Sequence, residues 1–394
     1  MTNSKSMYIL LYTLLPFAVS LLAATWVSSK ILDIARQKRN ADNLDARNSQ
    51  RISIPVLGGI AVMFGVVVAL GVSRLFFDCS SLYTIVLAMF MMLYVSTIDD
   101  IKKLSPRVRF LIEIGIALML MYTCGYSIDN FHGLWGLQAI PLSISIPLTI
   151  VTVIALINSI NLIDGVDGYS SGFCIMACLI FGAFFAIAGD IPMVMLASVC
   201  LGSLLPFFFH NVFGETSKMF IGDRGTLVMG VVMSVFVLNM FKTETISQVY
   251  SSLGMGVIPL TLSILSIPVF DTVRVMIYRV IRGKSPFHPD RTRLHYLFID
   301  MGFSHIGTIF SILLLNLMVI LVWYASCRLG ASIDVQLYVV LITALLCTFC
   351  LYGFIRICQR RASILWRVMR KLGELSHVER RGLFLWLRRA MDGK

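Results

Sequence analysis

Apolar runs long enough to cross a lipid bilayer recur along the whole chain. A transmembrane helix needs about 20 mostly apolar residues. We place eleven such runs near residues 7–27, 54–76, 81–98, 107–125, 140–157, 171–188, 192–210, 225–241, 253–274, 304–325 and 333–355. With 58% hydrophobic residues, 14% charged residues and a mean hydropathy of +0.85, the chain has more apolar surface than one water-soluble core can bury. The sequence therefore predicts an all-α, polytopic membrane protein of about eleven transmembrane helices.

The basic residues are distributed unevenly between the loops. All but four of the 33 Lys and Arg residues lie in or beside alternate loops. The four exceptions are Lys5, Arg74, Lys242 and Arg328. Because loops rich in Lys and Arg stay in the cytoplasm, we expect the N-terminus outside and the C-terminus in the cytoplasm. The net charge of +12 follows from this topology and does not indicate nucleic-acid binding.

The last 39 residues differ from the rest in composition. Residues 356–394 are basic, and apolar residues including Trp366 and Trp386 interrupt the charges. This pattern favours one or two amphipathic helices attracted to anionic membrane lipid, although a merely solvated tail is the alternative. We therefore divide the chain into an integral membrane domain, residues 1–355, and a basic cytoplasmic amphipathic tail, residues 356–394.

An acidic stretch lies between two apolar runs at residues 158–168. It carries two carboxamides and two carboxylates, Asn158, Asn161, Asp164 and Asp167, with two glycines. Neighbouring carboxylates repel each other and resist dehydration, so a divalent cation with oxygen ligands is their natural partner. The alternative is a solvated acidic turn, since Asp and Gly are ordinary turn residues.

Other acids stand at the ends of apolar runs. Asp99 and Asp100 end the third run, where negative charge opposes the helix dipole. Asp223 precedes another run, as an N-cap or as part of a phosphate–metal site. The pair Gly58-Gly59 starts a run and favours close helix packing over a lipid-headgroup contact.

The long inner loop is rich in cations, and we assign residues 268–274 and 282–296 to it. Arginine binds phosphate oxygens in a bidentate manner, and His295 can donate a hydrogen bond to a phosphate or a sugar hydroxyl. A generic positively charged loop is the alternative. All the candidates fall on the predicted cytoplasmic side, so we expect a cytoplasmic-side active site. They are Asp99, Asp100, Asn158, Asn161, Asp164, Asp167, Asp223, Asp271, Arg291 and His295.

Five blocks in this order resemble the polyprenyl-phosphate N-acetylaminosugar-1-phosphate transferases, glycosyltransferase family 4. The blocks are Pro55-x-x-Gly58-Gly59, Asp99-Asp100, Asn158-x-x-Asn161-x-x-Asp164-Gly165-x-Asp167-Gly168, Gly222-Asp223-x-Gly225 and Ser285-Pro286-Phe287-x-Pro289-Asp290-Arg291. Within the family, the chain is most similar to the branch that uses undecaprenyl phosphate and N-acetylglucosamine-1-phosphate. More distantly it resembles phospho-N-acetylmuramoyl-pentapeptide transferase.

The resemblance implies an activity and a location. The activity is transfer of a sugar-1-phosphate, foremost N-acetylglucosamine-1-phosphate, from a UDP-sugar to undecaprenyl phosphate with release of UMP. The product starts a lipid-linked cell-envelope polysaccharide such as the O-antigen of lipopolysaccharide. The location is the bacterial inner membrane. The implied partners are undecaprenyl phosphate, the UDP-sugar and membrane lipid, with no nucleic acid, and a homodimer is compatible with the sequence.

The resemblance also implies roles for particular residues. The catalytic acids are Asp99, Asp100, Asp164 and Asp167. Asp223 and Asp167 bind the cofactor Mg²⁺, with Mn²⁺ as the alternative. The substrate-binding residues are Lys103, Asn158, Asn161, Arg291, Arg293 and His295.

Two departures from the family pattern leave the donor sugar open. The family usually has His-x-His-His after the Asp-Arg pair. The corresponding residues of this chain are Arg293-Leu294-His295-Tyr296, so only one of the three histidines remains. Arg224 stands where the family often has a smaller residue, so it either contacts the diphosphate or weakens metal binding by repulsion.

Two other classes of protein remain as alternatives. A transporter or flippase of an anionic lipid usually carries charges near the middle of the bilayer, often in repeated halves. Neither feature is evident in this sequence. An inactive assembly scaffold is the second alternative, because two of the expected histidines are missing.

Overall fold

The computed structural model describes residues 2–44, 58–242, 244–286, 291–377 and 382–392. In these residues the chain forms α-helices and no β-strand, apart from a single bridge between Asn130 and Ala139. The helices are α1 (Thr2–Leu44), α2 (Gly58–Ser73), α3 (Tyr83–Lys102), α4 (Pro106–Cys124), α5 (Leu142–Leu162), α6 (Tyr169–Ala188), α7 (Ile191–Phe213), α8 (Gly222–Lys242), α9 (Glu244–Ser252), α10 (Val257–Ile264), α11 (Ser266–Ile281), α12 (Leu294–Asp300), α13 (His305–Arg328), α14 (Ile333–Leu345), α15 (Leu351–Arg360), α16 (Ile364–Leu375) and α17 (Gly382–Asp392). The predicted all-α class is confirmed.

Many of these helices are long and apolar enough to cross a membrane. In the described part of the chain eight meet this requirement, and the bent pair α10 and α11 brings the number to nine if the pair is counted as one span. α2 is apolar but has only 16 residues, and α4 carries three charged residues among its 19. The chain is therefore a multi-pass membrane protein, as predicted, while the count of eleven spans and the cytoplasmic side of the site stay predictions.

The chain divides into two compact units, and neither is continuous in sequence. The first unit comprises Met1–Leu120, Ser171–Val232 and Glu379–Lys394. The second unit comprises Met121–Ser170 and Met233–Val378. The division at residue 355 that the sequence suggested stays a prediction.

Small residues allow close helix contacts in the first unit. A Cβ atom on Gly202 of α7 would lie 2.1 Å from Ser20 Oγ of α1. A Cβ atom on Gly65 of α2 would lie 2.6 Å from Ser203 Oγ of α7. Any larger side chain at either glycine would push the helices apart, which is why membrane helices use small residues where they cross. α1, α2 and α7 thus pack closely against one another in this unit.

A broken helix organises the second unit. α10 and α11 meet at Leu265 with a bend of 74°, and this bend frees backbone groups from their helical partners. Asn316 of α13, which is fully buried, satisfies them. Its Nδ2 donates to the Ile264 carbonyl at 2.9 Å, and its Oδ1 accepts from the Ile267 N–H at 3.1 Å. An apolar environment tolerates a helix break only when the freed groups find such partners.

This break corrects two sequence predictions. The apolar run near residues 253–274 is two helices rather than one straight span. Residues 268–274, which we assigned to the long inner loop, belong to α11, which continues to Ile281. Periodicity missed the break because its stabilising residue, Asn316, lies on another helix.

Candidate functional site

The predicted site residues fall into two groups, one in each unit. The first-unit cluster consists of Asp99, Asp100, Lys103, Asp223 and Arg224. The second-unit cluster comprises the turn between α5 and α6 and side chains of α11, of residues 291–295 and of the start of α13 in the same unit. It consists of Asn158, Asn161, Asp164, Asp167, Asp271, Arg274, Arg291, Arg293, His295 and His305.

The adjacent carboxylates Asp99 and Asp100 have different partners. α3 ends at Lys102, and Lys103 turns the chain with a left-handed φ of 48°. Asp99 Oδ1 stabilises this turn by accepting a hydrogen bond from the Leu104 N–H at 2.6 Å. Asp100 Oδ2 lies 2.8 Å from Arg224 Nε at the start of α8. The two acids therefore serve a local turn and an ion pair between helices, respectively.

Asp223 lies at the tightly packed start of α8. Its side chain is exposed in the first turn of the helix. A Cβ atom on Gly59 would lie 2.4 Å from the backbone nitrogen of Gly225, and the Gly58 N–H donates to the Phe220 carbonyl at 3.1 Å. The packing interpretation of the glycine pair is therefore confirmed. Pro55 of the same motif lies outside the described residues.

The last helix, α17, holds the loop that leads to Asp223. Asp392 Oδ1 accepts hydrogen bonds from the N–H groups of Glu215, Thr216 and Ser217 at 3.2, 3.0 and 3.0 Å. Arg388 Nη2 forms an ion pair with Glu215 Oε2 at 2.6 Å. Burial opposes the charged form of Asp392, but the hydrogen bonds from Ser217, Thr216 and Glu215 outweigh it and lower the pKa of the carboxyl. The loop is thus tied to a charged side chain.

The acidic stretch forms the turn between α5 and α6. Asp164 is exposed, and its Oδ1 accepts a hydrogen bond from Ser170 Oγ at 2.6 Å. Gly168 adopts a left-handed φ of 77°, which a glycine reaches without strain. Asn158 Nδ2 donates to the carbonyl of Ile154, and Asn161 is half-buried at the end of α5. The turn therefore presents Asp164 to solvent.

Arg293 and His295 support this turn from inside the second unit. Arg293 is 6% exposed and donates from Nη1 to the carbonyl of Leu162. His295 is 1% exposed, and a Cβ atom on Gly165 would lie only 2.2 Å from its Nε2. Burial, reinforced by Arg293 and Arg274, lowers the pKa of His295 to about 3. The imidazole is therefore neutral near pH 7, and Gly165 leaves room for it.

A buried ion pair anchors the segment that carries these two residues. Asp271 of α11 accepts hydrogen bonds from Arg274 Nη2 at 2.7 Å and from the Leu294 N–H at 3.2 Å. Arg274 Nη2 also donates to the Thr292 carbonyl at 2.7 Å. Its guanidinium lies 3.8 Å from the centre of the Tyr352 ring. Asp271 and Arg274 therefore position the loop, and their charges are satisfied within the protein.

A histidine that sequence reasoning missed contacts the acidic turn. His305 Nδ1 lies 2.9 Å from Asp167 Oδ2, and His305 begins α13 directly after its N-cap, Ser304. The His305 side chain is 52% exposed and that of Asp167 is 16% exposed. The sequence signal was weak, because a histidine at the start of an apolar run is also an ordinary helix-end residue.

Arg291 is exposed, 6.0 Å from the centre of the Tyr296 ring. The motif residues 287–290 lie outside the described residues.

The described residues contain no group of three or more His, Cys, Asp or Glu side chains arranged to hold a metal ion. Asp223 and Asp167, which we predicted as joint metal ligands, belong to different units. Their joint role stays a prediction.

The helices and the two clusters define a multi-pass membrane protein that presents carboxylates and cations at helix ends. Comparison with known proteins gives a family match over part of the chain. The family model for glycosyl transferase family 4 matches residues 82–241. The chain is similar to this family over 160 of its 394 residues.

Curated relatives match over a longer stretch. The chain is 28% identical over 318 residues to the probable undecaprenyl-phosphate N-acetylglucosaminyl 1-phosphate transferase of Bacillus subtilis (strain 168), covering 78% of this chain and 85% of the relative. It is 26% identical over 355 residues to the undecaprenyl-phosphate alpha-N-acetylglucosaminyl 1-phosphate transferase of Escherichia coli (strain K12), covering 88% and 90%. The Salmonella typhimurium (strain LT2) protein of the same name is 28% identical over 347 residues, covering 86% and 88%.

Proposed function

We propose that this protein transfers N-acetylglucosamine-1-phosphate from UDP-N-acetylglucosamine to undecaprenyl phosphate and releases UMP. The observation that carries the proposal is the match to relatives of that name along 85–90% of their length. A membrane-spanning fold agrees with it, because one of the two substrates is a lipid. The proposed location is the bacterial inner membrane, with the N-terminus outside and the two clusters and the C-terminus at the cytoplasmic side.

The donor atoms of the predicted site suit Mg²⁺. The acids of both clusters offer hard carboxylate oxygens, which this ion prefers. Mg²⁺ is usually held by one or two carboxylates together with water and substrate phosphates, so it needs no cage of three side chains. We propose Asp223 and Asp167 as its ligands, with Mn²⁺ as an alternative ion. When bound, the ion neutralises phosphate charge.

The chemistry is a substitution at phosphorus. An oxygen of the lipid phosphate attacks the sugar-bearing phosphorus, the bond from that phosphorus to the bridging oxygen breaks, and UMP leaves with the bridging oxygen. A phosphate monoester has a second pKa of about 6, so the lipid phosphate is already mostly a dianion near pH 7. The protein therefore mainly has to bind, orient and neutralise the reacting groups.

The first-unit cluster supplies groups for the lipid phosphate. Lys103 is exposed and cationic beside Asp99. Arg224 is held by Asp100 at 2.8 Å, which fixes a guanidinium next to the exposed Asp223. We propose that Lys103 and Arg224 attract the phosphate and that Asp99 and Asp100 keep these groups in place.

The second-unit cluster supplies groups for the sugar nucleotide. Asp164 and Arg291 are exposed, and Asn158 and Asn161 lie at the end of α5. Arginine and carboxamide groups bind phosphate, sugar and base by directed hydrogen bonds. Arg293 and His295 contact the turn itself, so we propose that they act on the donor by holding its binding turn in shape.

An apolar cavity of about 270 Å³ in the second unit suits the polyprenyl chain. Residues of α5, α8, α10 and α11 line it, among them Val151, Ala155, Val237, Leu262 and Val269. A hydrocarbon chain that fills such an apolar space lowers its free energy through dispersion contacts. We propose that part of the undecaprenyl chain lies in this cavity.

The test is a donor panel with the purified full-length protein in detergent. Undecaprenyl phosphate, Mg²⁺ and one UDP-sugar at a time are supplied, released nucleotide is quantified, and the lipid product is identified by mass spectrometry. We expect UMP and a lipid-linked diphosphate sugar with UDP-N-acetylglucosamine. Absence of UMP release with every UDP-sugar would contradict the proposal.

Two variants separate an enzyme from a scaffold. Asp223→Asn is expected to abolish UMP release without loss of folded protein, since it removes one carboxylate charge at nearly constant volume. Asp78→Asn, an exposed acid of the same unit outside the cluster, is the matched control and should keep full activity. A scaffold would support polysaccharide assembly in cells equally well with either variant.

A further inference from the structure

Three side chains from residues 293–305 contact the acidic turn, and they differ in exposure. Arg293 and His295 are 6% and 1% exposed and contact Leu162 and Gly165 from inside the unit. His305 contacts Asp167 with half of its side chain in solvent. A ligand that reaches Asp167 from solution therefore meets the His305 imidazole at the same place.

The contact fixes the orientation of both partners. Nδ1 of His305 lies 2.9 Å from Asp167 Oδ2, and because a carboxylate only accepts hydrogen bonds, the imidazole N–H is the donor of this contact. A hydrogen bond from Nδ1–H to a carboxylate sets the orientation of the ring and directs Nε2 away from the acid. In the same way, the bond restricts the rotation of the Asp167 side chain, which precedes the left-handed Gly168.

His305 is itself held in place by local structure. Ser304 caps α13, with Oγ accepting from the Gly307 N–H at 3.0 Å, and the Ser304 N–H donates to Ser376 Oγ at 2.9 Å. The first residue of α13 therefore has a defined backbone position. A fixed backbone and one directed hydrogen bond make His305 a rigid support for Asp167.

We propose that His305 is a positioning residue for the transfer reaction: it holds the carboxylate of Asp167, the proposed Mg²⁺ ligand, in one orientation towards the sugar nucleotide. This inference rests on the proposed function. Because orientation matters most when the reacting groups are aligned, its loss acts on kcat more than on substrate binding.

The test is a double-mutant cycle with His305→Ala, Asp167→Glu and the double variant, measured as UMP release; Asp167→Glu keeps the carboxylate but moves it by one methylene group. His305→Ala should lower kcat about tenfold, the size expected for one lost hydrogen bond to a charged group, with the KM for undecaprenyl phosphate unchanged. If His305 acts through Asp167, the double variant is no slower than Asp167→Glu alone. A merely structural role predicts that the two losses multiply, and that result would overturn the inference.

Conservative replacement and a matched histidine sharpen the test. His305→Asn keeps a side-chain N–H donor and should recover most of the lost kcat. His377, whose Nε2 contacts the Gly302 carbonyl in the same unit, is the control, and His377→Ala should leave kcat unchanged. ¹⁵N-histidine NMR adds a readout without turnover. The Nδ1 signal that disappears in His305→Ala should shift in Asp167→Asn, and an unmoved signal contradicts the contact.

Different results would overturn this inference and the proposed function. Active wild-type protein with unimpaired His305→Ala overturns the positioning role alone. Wild-type protein that releases no UMP with any UDP-sugar overturns the proposed function, and the inference with it.

Discussion

Arg224 Nε lies 2.8 Å from Asp100 Oδ2, so that the first turn of α8 is ion-paired with the last turn of α3. The side chains are 13% and 35% exposed, respectively. The residue that departs from the family pattern is therefore engaged by one of the acids that the family pattern supplies. This pairing keeps the Arg224 charge beside Asp223 while Asp100 partly neutralises it.

Removal of either partner of this pair should lower UMP release, and the two losses should overlap. We expect Asp100→Asn, Arg224→Gln and the double variant to show a coupling of about fivefold in kcat/KM, limited by solvent screening of a partly exposed pair. The measurement is a double-mutant cycle of UMP release at fixed ionic strength. Losses that simply multiply would show that the pair does not act as a unit.

An exposed pair of the same unit is the control for that cycle. Arg74 and Asp78 lie 2.8 Å apart within one helical turn, but their side chains are 50% and 73% exposed. The cycle with Arg74→Gln and Asp78→Asn should give neither coupling nor a change in UMP release.

Asp392 should protect the loop that leads to Asp223. Asp392→Ala removes the acceptor of the Thr216 and Ser217 N–H groups, so hydrogen–deuterium exchange at these amides should become faster. Asp392→Asn keeps an acceptor oxygen and should give an intermediate rate. Asp78→Ala, which removes an acceptor of the Ser80 N–H elsewhere in the unit, should leave the loop unchanged. Equal exchange in all variants would contradict the role of α17.

The pH dependence of this contact follows from the direction in which the pKa of Asp392 is shifted. Hydrogen bonds lower the pKa of Asp392 in the folded protein, so its contribution to stability is present above the ordinary aspartate pKa. It is lost as the pH falls through the lowered value. The contact is therefore expected to persist through the neutral range.

His295 should make the protein less stable in mild acid. Its pKa is about 3 in the folded chain and about 6.5 when unfolded, so between these values the unfolded chain binds more protons. Stability should fall by up to about 1 kcal/mol per pH unit below pH 6.5, with no effect above it. The measurement is the apparent melting temperature in detergent as a function of pH. A range of roughly pH 7.5 to 5 covers the ordinary histidine pKa of about 6.5.

The control separates His295 from the other titratable groups. His295→Gln should flatten the slope in mild acid, whereas His377→Gln, which changes an exposed histidine, should keep the wild-type slope. Parallel curves for the wild type and His295→Gln would contradict the burial argument.

A large side chain in the apolar cavity should impair use of the lipid. Ala155→Trp projects an indole from α5 into the space that we assign to the polyprenyl chain. The KM for undecaprenyl phosphate should rise several-fold while the KM for the UDP-sugar stays unchanged. Leu179→Trp, at an exposed position of α6 outside the cavity, is the control. An unchanged lipid KM in Ala155→Trp would exclude this cavity.

The sequence predicted those features of the fold that short segments of the chain determine by themselves. Apolar runs located the membrane helices because the bilayer imposes a length on each of them. The acids and glycines at the ends of runs, such as Asp99, Asp164 and Gly168, also lie where helices end or turn, since turn residues act within a few positions. The sequence therefore sufficed for the all-α class and for most of the spans.

Contacts between distant segments were beyond the reach of the sequence. The bend between α10 and α11 depends on Asn316, and the Asp167 contact depends on His305. In both cases a polar side chain meets its partner only after separate helices have packed. The resemblance implied that Arg293 binds substrate, and the structure places its guanidinium inside the unit against Leu162. Its role at the donor stays a prediction.

The most direct measurement follows the β-phosphate of the donor. UDP-N-acetylglucosamine labelled with ³²P at the β-phosphate is incubated with the purified protein, Mg²⁺ and undecaprenyl phosphate, and the lipid and nucleotide fractions are separated. Transfer of a sugar-1-phosphate predicts that the label moves to the lipid and that the nucleotide product is unlabelled UMP. Label retained in released UDP would mean that the sugar–oxygen bond breaks instead, and would contradict the account.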